Sequence, residues 1–303
     1  MRSTNCVLTA LMLLPAAAVA ELHVLIVEGI PGEAVYETQF DQQVEAVHTA
    51  ARSVTDDNHI YLLRMVESTR NAVLERLSAL QRELSPDDQL AIFLIGHGSY
   101  DDYEYKFNIE GPDLTGEDLA AALEDIAAGN QLIVNTSSAS GATADLLVGD
   151  DRILVLATRS GTERHATRFG GYFAAALSDA SADIDKNDLI TVREAFDFAE
   201  RRVGDYFERN DQLATEHPRL EGERSERLAL ARLGGARPAV VDTALAAMIA
   251  ERDALSADID ALRLGREDMD ANEYQSQLLQ KMLELARIED AIEAREAELG
   301  TDD

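Results

Sequence analysis

The chain has 303 residues, with 27 Lys and Arg against 57 Asp and Glu, a formal net charge of −30 with histidines neutral. A field of this sign repels a phosphate polyanion, which excludes nucleic-acid binding as the default function. With 46% hydrophobic and 28% charged residues the composition is globular, and with no Trp and 5% aromatics the core must come mainly from Leu, Ile, Val and Ala.

Residues 1–20 carry one positive charge at Arg2, an apolar run from Cys6 to Leu14 and a small-residue end, Ala18-Val19-Ala20. This is the pattern of a secretory signal peptide cleaved before Glu21, so an exported, periplasmic or extracellular protein is expected; an uncleaved N-terminal anchor is the alternative. Cleavage removes Cys6, the only cysteine, and with it any disulfide framework or cysteine nucleophile. No later segment reaches about 18 uninterrupted apolar residues, so no transmembrane helix is expected in the mature chain.

From 21 to 210 short apolar runs alternate with helical stretches, the pattern of an α/β domain whose parallel sheet is covered on both faces. The runs predict strands at 22–27, 60–64, 90–95, 132–135 and 153–157, with helices at 33–53, 69–84 and 116–128. The segment 211–237 reads as a linker. Beyond it, over 238–300, apolar residues recur at 4-3 spacing through Val241, Leu245, Met248, Leu255, Ile259 and Leu262. After a polar break at 265–270 they resume through Tyr274, Leu278, Leu285, Ile288, Ile292 and Leu299. Two such helices predict a C-terminal α-helical coiled-coil hairpin, packing on the core domain or pairing with another chain.

In open α/β sheets functional groups gather beyond the carboxyl ends of the strands. The strand at 90–95 runs into Gly96-His97-Gly98-Ser99, a histidine between two glycines, with the Gly98 N–H free to donate. The next strand ends in the hydroxyl-rich turn Thr136-Ser137-Ser138-Ala139-Ser140-Gly141. A strand ending in Gly-His-Gly, followed by a neighbouring strand ending in Cys-x-Ser-Gly, resembles the catalytic layout of the legumain-type branch of the caspase/legumain clan of cysteine peptidases. The matching residues are Gly96-His97-Gly98 and Ser140-Gly141, and 153–163 looks like the clan's next strand and pocket wall, so the resemblance spans roughly 22–205.

The resemblance implies a caspase-like three-layer sandwich. It gives His97 the role of general base, the amides of Gly98 and Ser138 that of oxyanion hole, and Arg159, Ser160 and Glu163 that of specificity wall. The nucleophile position holds Ser138. A thiol becomes a thiolate with modest help, whereas a serine needs a well-placed base at the moment of attack. A non-proteolytic homologue binding a peptide or protein partner is therefore expected; the alternative is a hydrolase using a Ser138/His97 dyad. Apart from the resemblance, His97 reads as a rim histidine capping a loop and Ser138 as a turn hydroxyl bonded to local backbone. Arg159 suits an acidic side chain on a bound peptide, or neutralises neighbouring carboxylates.

A second motif, 183–194, places Asp183, Asp185 and Asn187 at positions 1, 3 and 5 of a loop, with Glu194 at position 12. It resembles an EF-hand calcium loop, to which Leu189 would add its carbonyl and Thr191 a hydroxyl or bridging water. Asp188 stands where glycine normally supplies a positive φ, and the loop is single where EF-hands usually pair. The alternative is a polar turn in which residues 185–187 cap the following helix. His23, His48, His59, His165 and His217 show no metal-ligand spacing and receive no role. No nucleotide or redox cofactor is indicated, since no phosphate-binding glycine loop and no Gly-x-Ser-x-Gly elbow occurs.

Overall fold

The structure, a computed structural model, describes residues 21–234 and 271–299, with 248, 251, 252, 255, 259 and 262 between them. The proposed signal peptide lies outside the described residues. The chain divides into two units at Leu233/Gly234.

In the first unit, β1 (Leu22–Glu28), α1 (Ala34–Ala51), β2 (Ile60–Leu63), α2 (Arg70–Glu83) and β3 (Gln89–Ile95) follow in order. A small antiparallel sheet, β4 (Gly98–Tyr100), β5 (Tyr105–Phe107) and β6 (Leu114–Thr115), leads into α3 (Gly116–Glu124) and β7 (Asn130–Asn135). Then come α4 (Ala144–Leu147), β8 (Arg152–Leu156), α5 (Phe169–Ala176), β9 (Leu189–Thr191), α6 (Val192–Arg209), β10 (Arg219–Glu221) and β11 (Ala229–Arg232). The five expected strands form a parallel sheet in the order β8-β7-β3-β1-β2, and β10 extends it antiparallel beside β8.

The inner strands read as unbroken apolar runs because both faces of the sheet are covered. Val24, Ile26, Ala91, Phe93, Val134 and Val155 bury one face beneath α1, α5 and α6. Leu25, Val27, Ile92, Leu94, Ile133 and Leu154 bury the other beneath α2 and α3. The period of two along each strand thus divides one sequence run between two cores, giving three layers. Helix starts follow local chemistry. Thr69 caps α2 by accepting from the Ala72 amide, and Thr115 with Asp118 forms a capping box on α3.

The segment 211–237 is not merely a linker. It supplies β10 to the main sheet and β11 as the antiparallel partner of β9, so the α/β unit runs past 210 to Leu233. Strands of three and four residues are too short to show a period in sequence.

In the second unit α7 (Ala271–Leu299) matches the second predicted helix. Its Tyr274, Leu278, Leu285 and Ile288 are half-buried and Ile292 is buried, the face the 4-3 spacing predicts. The first predicted helix lies mostly outside the described residues; within it Leu255, Ile259 and Leu262 are helical and buried. Among the described residues no helix is long and apolar enough to cross a membrane.

Candidate functional site

The register of β3 with β7, Leu94 opposite Asn135, brings their carboxyl ends together, and the Thr136 amide continues the pairing by donating to Leu94 O at 3.1 Å. Beyond this point the chain places His97-Gly98 beside Ser137-Ser138. A Cβ on Gly98 would stand 2.4 Å from Ser137 Oγ and 2.5 Å from Ser138 O, so the close approach requires glycine. On the far side of the turn, a Cβ on Gly141 would stand 2.2 Å from the Ser160 amide nitrogen, pinning Ser140-Gly141 to the backbone of Arg159-Ser160. Gly161 in turn packs on the Tyr100 ring of β4. The expected base, nucleophile position and specificity wall therefore converge on one rim of the sheet.

His97 is half-buried, its ring held edge-on by Tyr36 and Phe40 with centroids 4.5 and 5.0 Å away. Its Nε2 lies 3.1 Å from Pro31 O. A carbonyl can only accept, which assigns the proton to Nε2 and leaves Nδ1 as the basic nitrogen. The Asn108 amide donates to His97 O at 2.9 Å, making 97 and 108 a hydrogen-bonded pair. Gly98 and Phe107 are then the non-bonded pair of that ladder, and the Gly98 N–H is left free of β5.

The turn carrying Ser138 is held from below. Ser137 Oγ donates to Asn135 Oδ1 at 2.8 Å and meets the Tyr105 hydroxyl at 2.6 Å, while Asn135 Nδ2 donates to that hydroxyl at 2.9 Å. Burial pushes the Tyr105 phenol up to about 12, so it stays protonated in the network. Ala139 takes a left-handed φ of 58° and donates its N–H to Glu163 O at 2.8 Å. Thr158 then anchors the motif's end: its N–H donates to Ser140 Oγ at 3.1 Å and its Oγ1 accepts from the Gly141 amide at 2.9 Å. Ser138 is buried, and among the described residues its hydroxyl and its amide make no hydrogen bond. Neither His97 nitrogen reaches it in a hydrogen bond.

In the expected specificity wall the three residues separate in role. The Arg159 side chain is exposed and, among the described residues, forms no ion pair. Ser160 Oγ meets Thr162 Oγ1 at 2.8 Å. Glu163 is taken up internally. It accepts from the Arg159 and His217 amides at 3.0 Å each, and its Oε1 lies 2.6 Å from His217 Nδ1. His217, given no role from sequence, thus ties the wall to the segment leading into β10; a separation of 54 residues leaves no local signal. Beside the site, α1 and α5 frame an open cleft of about 640 Å³ lined by Gln39, Gln43, Arg168, Tyr172 and the same Tyr36 that touches His97.

The acidic loop closes as its spacing predicts. Carboxylate oxygens of Asp183, Asp185 and Glu194 lie within 4.8 Å of one another. Asp183 is buried and accepts from the Asn187 and Asp188 amides at 3.2 Å each, while Asn187 Oδ1 accepts from the Leu189 amide at 2.8 Å. Asp188 adopts the positive φ, 62°, that glycine usually supplies at this position. Burial first, then the Glu194 charge, holds the Asp185 carboxyl above its usual range. The strand of the loop, β9, finds its partner in β11 rather than in a second loop.

One expectation is corrected. Residues 185–187 do not cap α6; Thr191 does, in a capping box with Glu194. The Thr191 hydroxyl donates to Glu194 Oε2 at 2.9 Å and accepts from the Glu194 amide at 3.2 Å, which keeps one of its lone pairs for a cation or a bridging water.

No protein-family model and no curated protein matches the sequence. The crystal structure of protein GSU0716 from Geobacter sulfurreducens is similar over 70% of this chain and 99% of its own, at 13% identity and a TM-score of 0.48.

Proposed function

We propose that the α/β unit is an exported caspase/legumain-like peptidase homologue that binds an acidic peptide or protein segment without cleaving it. The observation that carries this reading is the state of His97. Its Nε2–H is bonded to Pro31 O, and no hydrogen bond joins the ring to Ser138, so the serine lacks the aligned base that an alcohol nucleophile needs. What remains of the layout suits binding. The Ser138 amide is available to a peptide carbonyl, the Arg159 guanidinium to a carboxylate, and the cleft beside Tyr36 offers room for a side chain. The order of the motifs along adjacent strand ends supports the family assignment. In this reading the acidic loop holds Ca2+ through Asp183, Asp185 and Glu194, with Asn187 and the Leu189 carbonyl completing it, and steadies the start of α6.

The second reading, a hydrolase using Ser138 and His97, is favoured by one observation: Ser138 Oγ is not engaged by its own turn, so a bound acyl group could be met by a free hydroxyl. A serine-directed fluorophosphonate probe separates the two. The binding reading predicts no labelling, and labelling that disappears in Ser138→Ala would establish the hydrolase instead.

A further inference from the structure

At the opposite end of the sheet from His97, the parallel register of β1 with β2 pairs Val24 with Ile60 and Leu25 with Tyr61. Carried back one residue, it sets His23 beside His59 on the face that carries Leu25 and Tyr61. The alternation of an extended chain puts Glu21 on the same face as His23. Three residues without spacing in sequence are thereby brought together by register. The two rings lie face to face, centroids 4.3 Å apart, and one nitrogen from each, with a Glu21 oxygen, fall within 4.8 Å of one another.

We propose that Glu21, His23 and His59 form a binding site for a divalent transition metal of the zinc class. Two imidazoles and one carboxylate are a donor set such ions favour, whereas an oxygen-seeking cation such as Ca2+ does not select nitrogen. Ligand atoms about 2.0–2.2 Å from a tetrahedral ion stand about 3.3 Å from each other. His59 Nε2 and Glu21 Oε2 are already 3.1 Å apart, near that edge. The surroundings orient the donors. His23 Nδ1 lies 3.3 Å from the Tyr61 hydroxyl, and the Glu21 backbone nitrogen donates to Asp88 Oδ1 at 3.2 Å, which holds its backbone. His23 is buried and the His59 side chain is 15% exposed, while Glu21 at 46% leaves an entry path and room for a water as fourth ligand.

The test is isothermal titration of the tag-free chain with zinc chloride in excess calcium chloride, so that the acidic loop does not compete. The expected result is one equivalent bound by the wild type and loss of that equivalent in Glu21→Gln and in His59→Asn. Should His59→Asn fail to fold, the more exposed Glu21→Gln decides. A wild type that takes up no zinc, or variants that retain the equivalent, would overturn the proposal.

Discussion

His97 Nε2 lies 3.1 Å from the carbonyl oxygen of Pro31, and this contact decides which ring nitrogen is the base. With the proton on Nε2, the lone pair is on Nδ1. That arrangement can accept a proton from a thiol, whose ionisation needs little help, more readily than from an unaligned alcohol. In a Cys6→Ser background, Ser138→Cys should therefore show a thiol alkylated by iodoacetamide at neutral pH on the order of tenfold faster than the same thiol in a His97→Ala chain. Equal rates in the two would mean that His97 does not act on position 138.

Gly98 sets the distance between the two halves of the site. Gly98→Ala places a methyl against a backbone oxygen that can move only with the whole turn, so stability should fall by about 1–3 kcal/mol. Peptide binding should fall with it. Urea unfolding together with the binding isotherm checks both; an alanine chain as stable and as competent as the wild type would show that the turn is not packed on Gly98.

Behind the site, Glu28 is 2% exposed at the end of β1, with Arg64 Nε donating to it at 2.7 Å and Arg64 also reaching Asp41 and Glu45 on α1. Burial outweighs the guanidinium and holds the Glu28 carboxyl above its usual range. A carboxyl raised in the folded state contributes stability that is full below the unfolded value and is lost as pH rises through the folded one. Arg64→Gln removes the counter-charge and raises it further. The variant should lose about 3 kcal/mol at pH 7 and much less at pH 4, read by denaturant unfolding at the two pH values. A loss independent of pH would assign the effect to packing of the Arg64 stem.

Millimolar calcium should raise the melting temperature of the wild type, since a ligand at about 100 times its Kd contributes about 2.7 kcal/mol. Asp185→Asn relieves the crowding with Glu194 and Asp183, so the calcium-free variant should melt no lower than the wild type while losing the calcium response. A response that survives the substitution would place the ion elsewhere.

Much of this organisation is legible in the residues. The strand runs at 22–27 and 90–95 need two covered faces to make sense of unbroken apolar sequence, and Thr69 ahead of an amphipathic run marks the start of α2 as observed. The Asp183–Glu194 spacing foretells a closed loop because its contacts are local. What sequence leaves hidden is non-local. The meander of β4 to β6 and the strands β10 and β11 are two to four residues long, and only their partners make them strands. The Glu163–His217 pair and the Glu21, His23 and His59 cluster depend on register and loop return across dozens of residues, which no spacing rule contains.

The central claim, binding without cleavage at the His97–Ser138 rim, is tested most directly with a fluorescent library of Asp- and Glu-containing peptides. Anisotropy reports retention, and mass spectrometry reports whether the retained peptides are intact. Retention of intact peptides that is lost in Arg159→Glu is the result predicted. Peptides cut by the wild type and spared by Ser138→Ala, or no retention at all, would contradict it.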